Sequence, residues 1–275
     1  MSVPIPPLAR YSVLASVLAL AGCREIPEAP TELSELSTYL YRHFDHEDPV
    51  YLCMGMDNLR TFFADVDMDR DWQDLSYEVE QLDQDDVAGI ERPEDRSLED
   101  TLPVALVTDS AFTPDQHADV IILEDQTPVE PAAPELYDRI FVDPADPACF
   151  PDRGCTVIRA LNDIHRENLV VDLRMVTNKD YRWVELGEPG SGEWGALSRS
   201  WLPESSIGDA GAVALYQAYT IDLFLPVDGG AIRYMAIWSE TVITGVNDET
   251  LEYTCRLGLH QIFDATEEYL EETER

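Results

Sequence analysis

Basic residues are scarce in this sequence, and their scarcity excludes whole classes of partner. The 275 residues contain 18 lysines and arginines against 55 aspartates and glutamates, so the formal net charge is −37. Lys179 is the only lysine. Proteins bind nucleic acid through clustered Lys and Arg, which release counterions from the phosphates, and anionic lipid attracts the same residues. We therefore predict no nucleic-acid partner and no electrostatic adsorption to membranes.

A membrane-spanning run is missing near the N-terminus, where a shorter apolar stretch is found instead. Residues 11–21 are apolar over about 11 residues, short of the ~20 that a spanning helix needs. The stretch follows Arg10 and ends in small residues, as a secretory signal does. Residues 20–23, Leu-Ala-Gly-Cys, resemble the lipobox of bacterial lipoproteins. An ordinary secretory signal with a chance cysteine is the alternative interpretation.

The lipobox resemblance implies a processed and lipid-anchored chain. Signal peptide 1–22 would be removed, and Cys23 would carry diacylglycerol on its sulfur and an acyl group on its new amino terminus. Several acyl chains, at ~0.8 kcal/mol per buried methylene, outweigh the repulsion between an acidic protein and a bilayer. Arg24 after the modified cysteine fits the outer membrane in lipoproteins of familiar diderm bacteria. The resemblance thus predicts a cell-envelope protein, most simply one of the outer membrane. Which side of that membrane the protein faces stays undecided.

Cysteine is scarce as well. Because no C-x-x-C pair occurs, the sequence argues against a zinc site built from these cysteines. Once Cys23 is lipidated, an even number remains, typical of two disulfides in an exported protein: Cys53, Cys149, Cys155 and Cys255. The short loop with proline and glycine favours a Cys149–Cys155 disulfide. That choice leaves Cys53–Cys255 as the second pair, although four cysteines allow three connectivities.

The rest of the chain is predicted to form one globular α+β domain over 31–275, preceded by a tether at 23–30. Its N-terminal part, 31–82, is predicted to be helical, with helices at 32–45 and from Asn58 to about Val66, the second capped by Asp57. A proline-rich connector follows at 126–152, with one helical turn at 135–141. The sheet and terminal helix fill 155–275.

The C-terminal part predicts an antiparallel sheet. Segments rich in Val, Ile, Tyr, Trp and Leu occur with no helix between them, at 155–161, 169–176, 180–186, 194–201, 214–226 and 231–244. The glycines of Val227–Ala231 indicate a hairpin between the last two segments. An amphipathic helix at 257–272 then covers one face of a sheet of about six strands.

Six sequential strands followed by a long amphipathic helix resemble, in element order, the helix-grip layout of START and Bet v 1 proteins. The resemblance covers 155–275 and has no diagnostic motif. In that layout one strand and two short helices come first, and here they would have to lie within 75–141. The resemblance implies a cavity for an apolar ligand between sheet and helix. Another antiparallel α+β arrangement is the alternative.

Catalytic and metal motifs are weak or missing. No G-x-S-x-G elbow occurs, and Ser110 has no histidine partner that the sequence identifies, so we predict no catalytic residue and no cofactor. The acidic stretch 65–78 has the ligand spacing of an EF-hand loop at Asp67, Asp69, Asp71 and Glu78. Trp72 occupies the position that needs glycine, so solvated turn carboxylates are the alternative, and we assign no metal.

Arginines fall in predicted strands although basic residues are few: Arg159, Arg174, Arg182, Arg199 and Arg233. Cross-strand ion pairs with neighbouring carboxylates are one explanation. The other is that some arginines face a cleft and bind an anion such as a carboxylate, with ligand-binding candidates Arg174, Arg182, Arg199 and Arg233.

These observations predict a membrane-anchored, non-catalytic envelope lipoprotein that acts in binding or interaction. Its partners would be the membrane, through the N-terminal lipid, and an apolar small molecule or an envelope protein. A carrier of a small apolar or lipid ligand in a helix-grip cavity is the alternative, and an envelope hydrolase is a third.

The lipid anchor gives the first testable prediction. Replacing Cys23→Ser should abolish incorporation of labelled palmitate and release the protein from envelopes during a high-salt wash, because the acyl chains are its only predicted attachment. Fractionation of both variants checks this. A serine variant that still sediments with washed envelopes would disprove the anchor.

Overall fold

The computed structural model describes residues 28–167, 171–208 and 211–273. The predicted signal peptide and Cys23 lie outside the described residues, so their roles stay predictions. Within the described ranges, no helix is both long enough and apolar enough to cross a membrane.

Two helices begin the described chain, α1 (Leu33–Arg42) and α2 (Val50–Phe63). The first confirms the helix predicted at 32–45. The second begins at Val50 instead of Asn58, so the predicted cap Asp57 lies inside it. Pro49 directly precedes the first turn, where its fixed φ suits a helix start and its missing N–H costs nothing.

One antiparallel sheet forms the body of the protein. In chain order its nine strands among the described residues, β1 to β9, are Ser76–Tyr77, Leu102–Ser110, Leu136–Asp143, Val157–Glu167, Asp172–Glu185, Trp194–Trp201, Ser206–Ile207, Val213–Val227 and Gly230–Ile243. They are arranged in the order β1-β2-β9-β8-β6-β5-β4-β3, and β7 pairs with β8. Two more helices complete the fold, α3 (Pro114–Ile121) and α4 (Asp248–Thr273). The predicted α+β class, the β8–β9 hairpin and the C-terminal helix are confirmed, with more strands than the predicted six.

Two strand assignments differ from the prediction, each for a physical reason. The segments predicted at 169–176 and 180–186 form one strand, β5, because the polar residues between them keep pairing with β4 and β6. The connector predicted at 126–152, with a helical turn at 135–141, contains β3 instead. Prolines flank this strand on both sides, so they remove no hydrogen-bond donor from its interior.

The element order of the helix grip is present over a longer part of the chain than 155–275. The earlier strand is β2, and α3 with a 3-10 turn at Thr127–Val129 takes the place of the two short helices. The strands β3, β4, β5, β6, β8 and β9 follow, interrupted only by the two-residue β7, and α4 ends the layout.

Helices cover both faces of the central strands. We call the side under α1 and α2 the outer face and the side under α3 and α4 the inner face. In β9, Tyr234 and Trp238 lie in the outer core with α1 and α2, whereas Met235 lies with Leu259 of α4. This is the period-two alternation of a strand. Large apolar side chains form the outer core, and each that is fully buried contributes about 1.5–3 kcal/mol.

The cysteines confirm one predicted pair and correct the other. Cys149 and Cys155 form a disulfide with their Cα atoms 5.3 Å apart. Cys53 and Cys255 are both free thiols in the described structure. Cys53 of α2 packs against the outer core and Cys255 of α4 against the inner side, so the sheet separates them. The predicted Cys53–Cys255 bond is therefore not formed.

Thiol titration tests this cysteine assignment. We expect the Cys23→Ser protein, denatured without reductant, to react as two free thiols per chain, Cys53 and Cys255, and as four after reduction. Replacing Cys53→Ser should lower the non-reduced count by one. Finding no thiol before reduction would show that Cys53 and Cys255 are joined.

Candidate functional site

The inner face encloses a small cavity of about 50 Å³ between the sheet, α3 and α4, lined by both apolar and ionisable side chains. Its ionisable lining is unusually rich for a buried space: His117, Glu130, Arg139, Lys179, Asp222 and Arg233, together with the hydroxyl-bearing Tyr137 and Tyr181. The four strand residues among the charged groups come from β3, β5, β8 and β9. Strand alternation turns each of them toward the same interior.

One ion pair in this cavity neutralises itself. The Nε and one terminal nitrogen of Arg233 donate to the two carboxylate oxygens of Asp222, each at 3.2 Å. The other terminal nitrogen of Arg233 donates to Thr266 Oγ1 of α4 at 2.9 Å. Arg233 and Asp222 are both buried. A paired, hydrogen-bonded charge is the form in which ions are tolerated inside proteins.

Arg139 is a second buried guanidinium, and it lacks such a counter-ion. Its Nε donates to Asn162 Oδ1 at 2.9 Å and a terminal nitrogen donates to the carbonyl of Ile121, near the end of α3, at 2.6 Å. Its guanidinium carbon also lies 5.0 Å from the centre of the Tyr181 ring. No carboxylate among residues 28–167, 171–208 and 211–273 forms a salt bridge with it. Neutral groups therefore accept the hydrogen bonds of Arg139, but they do not balance its charge.

Lys179 is a second cavity cation that forms no salt bridge within the described chain. It lines the cavity and keeps part of its surface accessible there. Burial lowers the pKa of its ammonium to about 8, against the opposing attraction of Asp222 and Glu130. The nearby Arg139 and Arg233 lower it further. The single lysine of the chain therefore titrates close to neutrality.

The remaining carboxylate of the cavity does not balance these cations. Glu130 pairs with Arg166 at 3.9 Å, and its Oε2 atom is buried without a hydrogen-bond partner among the residues described. The cavity thus holds a net positive charge in a protein of net charge −37. Leaving a charge buried and unpaired is costly. A small anion would offset that cost.

A histidine completes the wall. His117 Nε2 lies 2.8 Å from Ser110 Oγ, so Ser110 does have the histidine partner that the sequence did not reveal. Glu267 Oε1 lies 3.9 Å from the same nitrogen. A catalytic triad places serine and acid on opposite ring nitrogens, so this arrangement is not one. Burial, aided by Arg233, lowers the pKa of His117 to about 3 and keeps the ring neutral.

The arginines predicted to bind an anion divide between the two faces. Arg233 lines the cavity. Arg174 is exposed and donates to both oxygens of Asp163, at 3.0 and 2.6 Å. Arg182 donates to the carbonyls of Phe44 and His46 at 2.6 and 3.0 Å. The structure therefore does not bring Arg174 or Arg182 to the cavity.

Arg199 also lies on the outer face, where it fastens the end of α1 to the sheet. Its guanidinium contacts Asp45 and lies 3.5 Å from Asp180, and Arg159 binds the same two carboxylates. Burial would raise the pKa of Asp45, but Arg199 and Arg159 outweigh it and hold that pKa below its usual range. For Arg174 and Arg199, ion pairing with nearby carboxylates is thus the explanation the geometry favours.

The structure gives less support to the other candidate sites. In the stretch 65–78, Asp67 accepts the backbone N–H of Asp69 at 3.2 Å and Asp71 that of Gln73 at 3.0 Å, which is how turn carboxylates behave. Among the described residues, the one group of three potential metal ligands close together is the largely exposed Glu135, His165 and Glu167. A hollow of about 310 Å³ beside β2 and α4 is lined by Trp72, which stacks on His260.

Comparison with known proteins finds likeness in structure only. No family model matches the sequence, and no curated protein matches it. Solved structures do resemble the chain. A protein from Thermus thermophilus is 14% identical over 63% of this chain and 100% of its own, with a TM-score of 0.41. A START superfamily protein from Mycobacterium smegmatis is 12% identical over 62% and 98%, with a TM-score of 0.39.

A STAR-related lipid transfer protein from Xanthomonas axonopodis gives a similar result, at 10% identity over 62% of this chain and 85% of its own and a TM-score of 0.40. Similarity at this level says nothing about ligand or activity. We therefore infer the ligand class from the residues of the cavity alone.

The buried ammonium predicts an unusual stability effect. Replacing Lys179→Met should raise the free energy of unfolding at about pH 7 by about 1–3 kcal/mol, because the folded state no longer holds a disfavoured charge. The pKa is lowered from 10.5 to about 8, so the cost is full below pH 8 and gone above 10.5. The advantage of the variant should therefore vanish with rising pH in urea unfolding.

Arg174→Met is the matched control, since Arg174 is exposed and lies on the outer face. We expect it to leave the free energy of unfolding nearly unchanged, because an exposed ion pair contributes little. A Lys179→Met protein less stable than wild type at about pH 7 would contradict the assignment of a disfavoured buried charge.

Proposed function

We propose that the protein is an envelope-tethered binding protein whose ligand is a small anion held in the inner cavity. The observation that carries the proposal is a pair of cations, the buried Arg139 and the partly buried Lys179, that line the cavity without a salt-bridge partner in the described chain. The remaining cation, Arg233, is neutralised by Asp222. A carboxylate or another anion of a few atoms supplies the missing charge.

The size of the cavity narrows the ligand class. Pockets for drug-sized ligands have about 300–1,000 Å³, and an engineered apolar cavity that holds benzene has about 150 Å³. The inner cavity has about 50 Å³ and a charged lining. These properties support a carrier of a small polar ion over a carrier of a lipid or other large apolar molecule.

The charge distribution supports selectivity for the interior site. The acidic surface repels anions over a Debye length of ~8 Å. An anion therefore has no favourable electrostatic interaction with the outer surface. Inside, the low dielectric strengthens its attraction to Arg139 and Lys179. Anchoring through Cys23 remains part of the proposal and rests on the lipobox resemblance alone.

Titration calorimetry with acetate tests the proposal. Wild type should bind acetate, and Lys179→Met should lose at least about tenfold in affinity, because a hydrogen bond to a charged group contributes about 1.5–3 kcal/mol. Wild-type affinity should also fall as the pH rises through about 8, where Lys179 loses its proton. The methionine variant should lack that pH dependence.

Arg174→Met serves again as the control and should bind acetate like wild type, since Asp163 already occupies Arg174. Equal acetate binding by wild type and Lys179→Met would place the anion elsewhere. Binding of a long-chain fatty acid with no binding of acetate would favour the apolar carrier instead.

A further inference from the structure

Lys179 carries the only side-chain amine of the sequence, and the fold places it in the wall of the inner cavity. The residue is partly exposed. Its Nζ atom forms no hydrogen bond within residues 28–167, 171–208 and 211–273, yet it does not belong to the buried polar atoms that lack a partner there. The aromatic ring beside Nζ and the charged side chains that shift its pKa all line the same cavity: Tyr181, Asp222, Arg139, Glu130 and Arg233. The amine is therefore accessible to a small molecule in the cavity.

The Tyr181 ring brings this amine close to a second group that can bind a ligand, the guanidinium of Arg139. Nζ of Lys179 lies 5.3 Å from the ring centre, and the guanidinium carbon of Arg139 lies 5.0 Å from it. A guanidinium carries five N–H donors. Asn162 and the carbonyl of Ile121 accept two of them, and a neighbouring tyrosine hydroxyl accepts a third. Two donors are therefore left for the carboxylate of a ligand.

The surroundings keep part of the Lys179 amine unprotonated. Burial lowers its pKa to about 8, against the opposing charge of Asp222. At pH 7 roughly a tenth of the side chain is then the free amine, whereas an ordinary lysine has less than about a thousandth in that form. The free amine has a lone pair and is the nucleophilic form of lysine. Lys179 can therefore attack a carbonyl group at neutral pH.

The volume of the cavity restricts which carbonyl compounds reach both groups. A buried water needs about 10–15 Å³ of such space, so a cavity of about 50 Å³ has room for roughly four water molecules. That is the space of a molecule with roughly four to six non-hydrogen atoms. An acid of two or three carbon atoms that carries a carbonyl group beside its carboxylate has this size.

We propose that Lys179 captures a small 2-oxo acid, such as glyoxylate, by forming a reversible imine in the inner cavity. This inference rests on the proposed function, because the carboxylate of the oxo acid is the anion that Arg139 binds. The Nζ lone pair attacks the carbonyl carbon, a C–N bond forms, and the carbonyl oxygen takes up a proton and becomes a hydroxyl. The hydroxyl gains a second proton and leaves as water, so that a C=N bond replaces the C=O bond.

The reaction balances without a further reactant. A lysine ammonium and an oxo acid give an iminium and one water molecule. The nitrogen loses two of its three protons, the released water carries both, and the positive charge stays on the nitrogen. Nothing is oxidised or reduced. Hydrolysis of the C=N bond returns the oxo acid, so the step is suited to a protein that binds and releases its ligand.

Reductive trapping of the full chain tests the proposal. Glyoxylate with cyanoborohydride, which delivers hydride to the imine carbon, should convert Lys179 to carboxymethyl-lysine at neutral pH, with one group added per chain. Mass spectrometry of the peptides separates this product from any adduct at the N-terminal amine. Excess acetate should slow the trapping, because it occupies the same anion site.

The matched control combines Lys179→Met with Arg174→Lys, which moves the only lysine to an exposed position on the outer face. Glyoxylate should label wild type at least about tenfold faster than this control, because more of the Lys179 amine is unprotonated. Acetaldehyde has the carbonyl but no carboxylate. Its ratio of wild-type to control rates should be about tenfold smaller, since it lacks the hydrogen bonds to Arg139. If the double variant does not fold, Nα-acetyllysine amide in the same solution supplies the reference rate.

The outcomes separate this inference from the proposed function. Equal labelling of wild type and control by glyoxylate overturns the imine, while calorimetric binding of acetate leaves the anion site standing. A preference for wild type that acetaldehyde shows in full overturns the choice of an oxo acid. Acetate that neither binds in calorimetry nor slows the trapping overturns the anion site and this inference together.

Discussion

The structure depends on burying both faces of the central strands β8 and β9 under different pairs of helices. Because side chains alternate along a strand, a single strand supplies two environments. In β9, Tyr234 and Trp238 build the apolar outer core with α1 and α2, while Arg233 next to Tyr234 belongs to the charged interior. The outer core is the largest apolar cluster of the described residues, and the inner face carries buried charged groups as well.

Charge is distributed in opposite senses outside and inside. A net charge of −37 repels anions, yet three of the few cations line one small cavity. Arg233 is neutralised, and the others are held by hydrogen bonds and ring contacts that leave their charge unpaired. The neutral His117, which is hydrogen-bonded to Ser110, completes the wall of the cavity.

The regular parts of the fold could be predicted from local pattern. Helix α1, the amphipathic α4, the β8–β9 hairpin and the Cys149–Cys155 disulfide all follow from spacing and turn chemistry. The local pattern gave a wrong prediction where function or packing overrides it. Lys179 and its polar neighbours look like a break between two strands, but they lie inside β5, where the lysine faces a polar interior. The one signal in the sequence for this special position was that Lys179 is the only lysine.

The sequence by itself determined the acidic composition, the strand and helix periods and their order, because these depend on neighbours within a few residues. Only the tertiary structure decided which face each arginine occupies and what it meets. A shift of one residue reverses every side chain of a strand, and the partners are distant in the chain: Asp45 meets Arg199 across the outer face, and Arg233 meets Thr266 of α4 across the inner one. Such pairings exist only once the sheet has formed and both helix layers have closed over it.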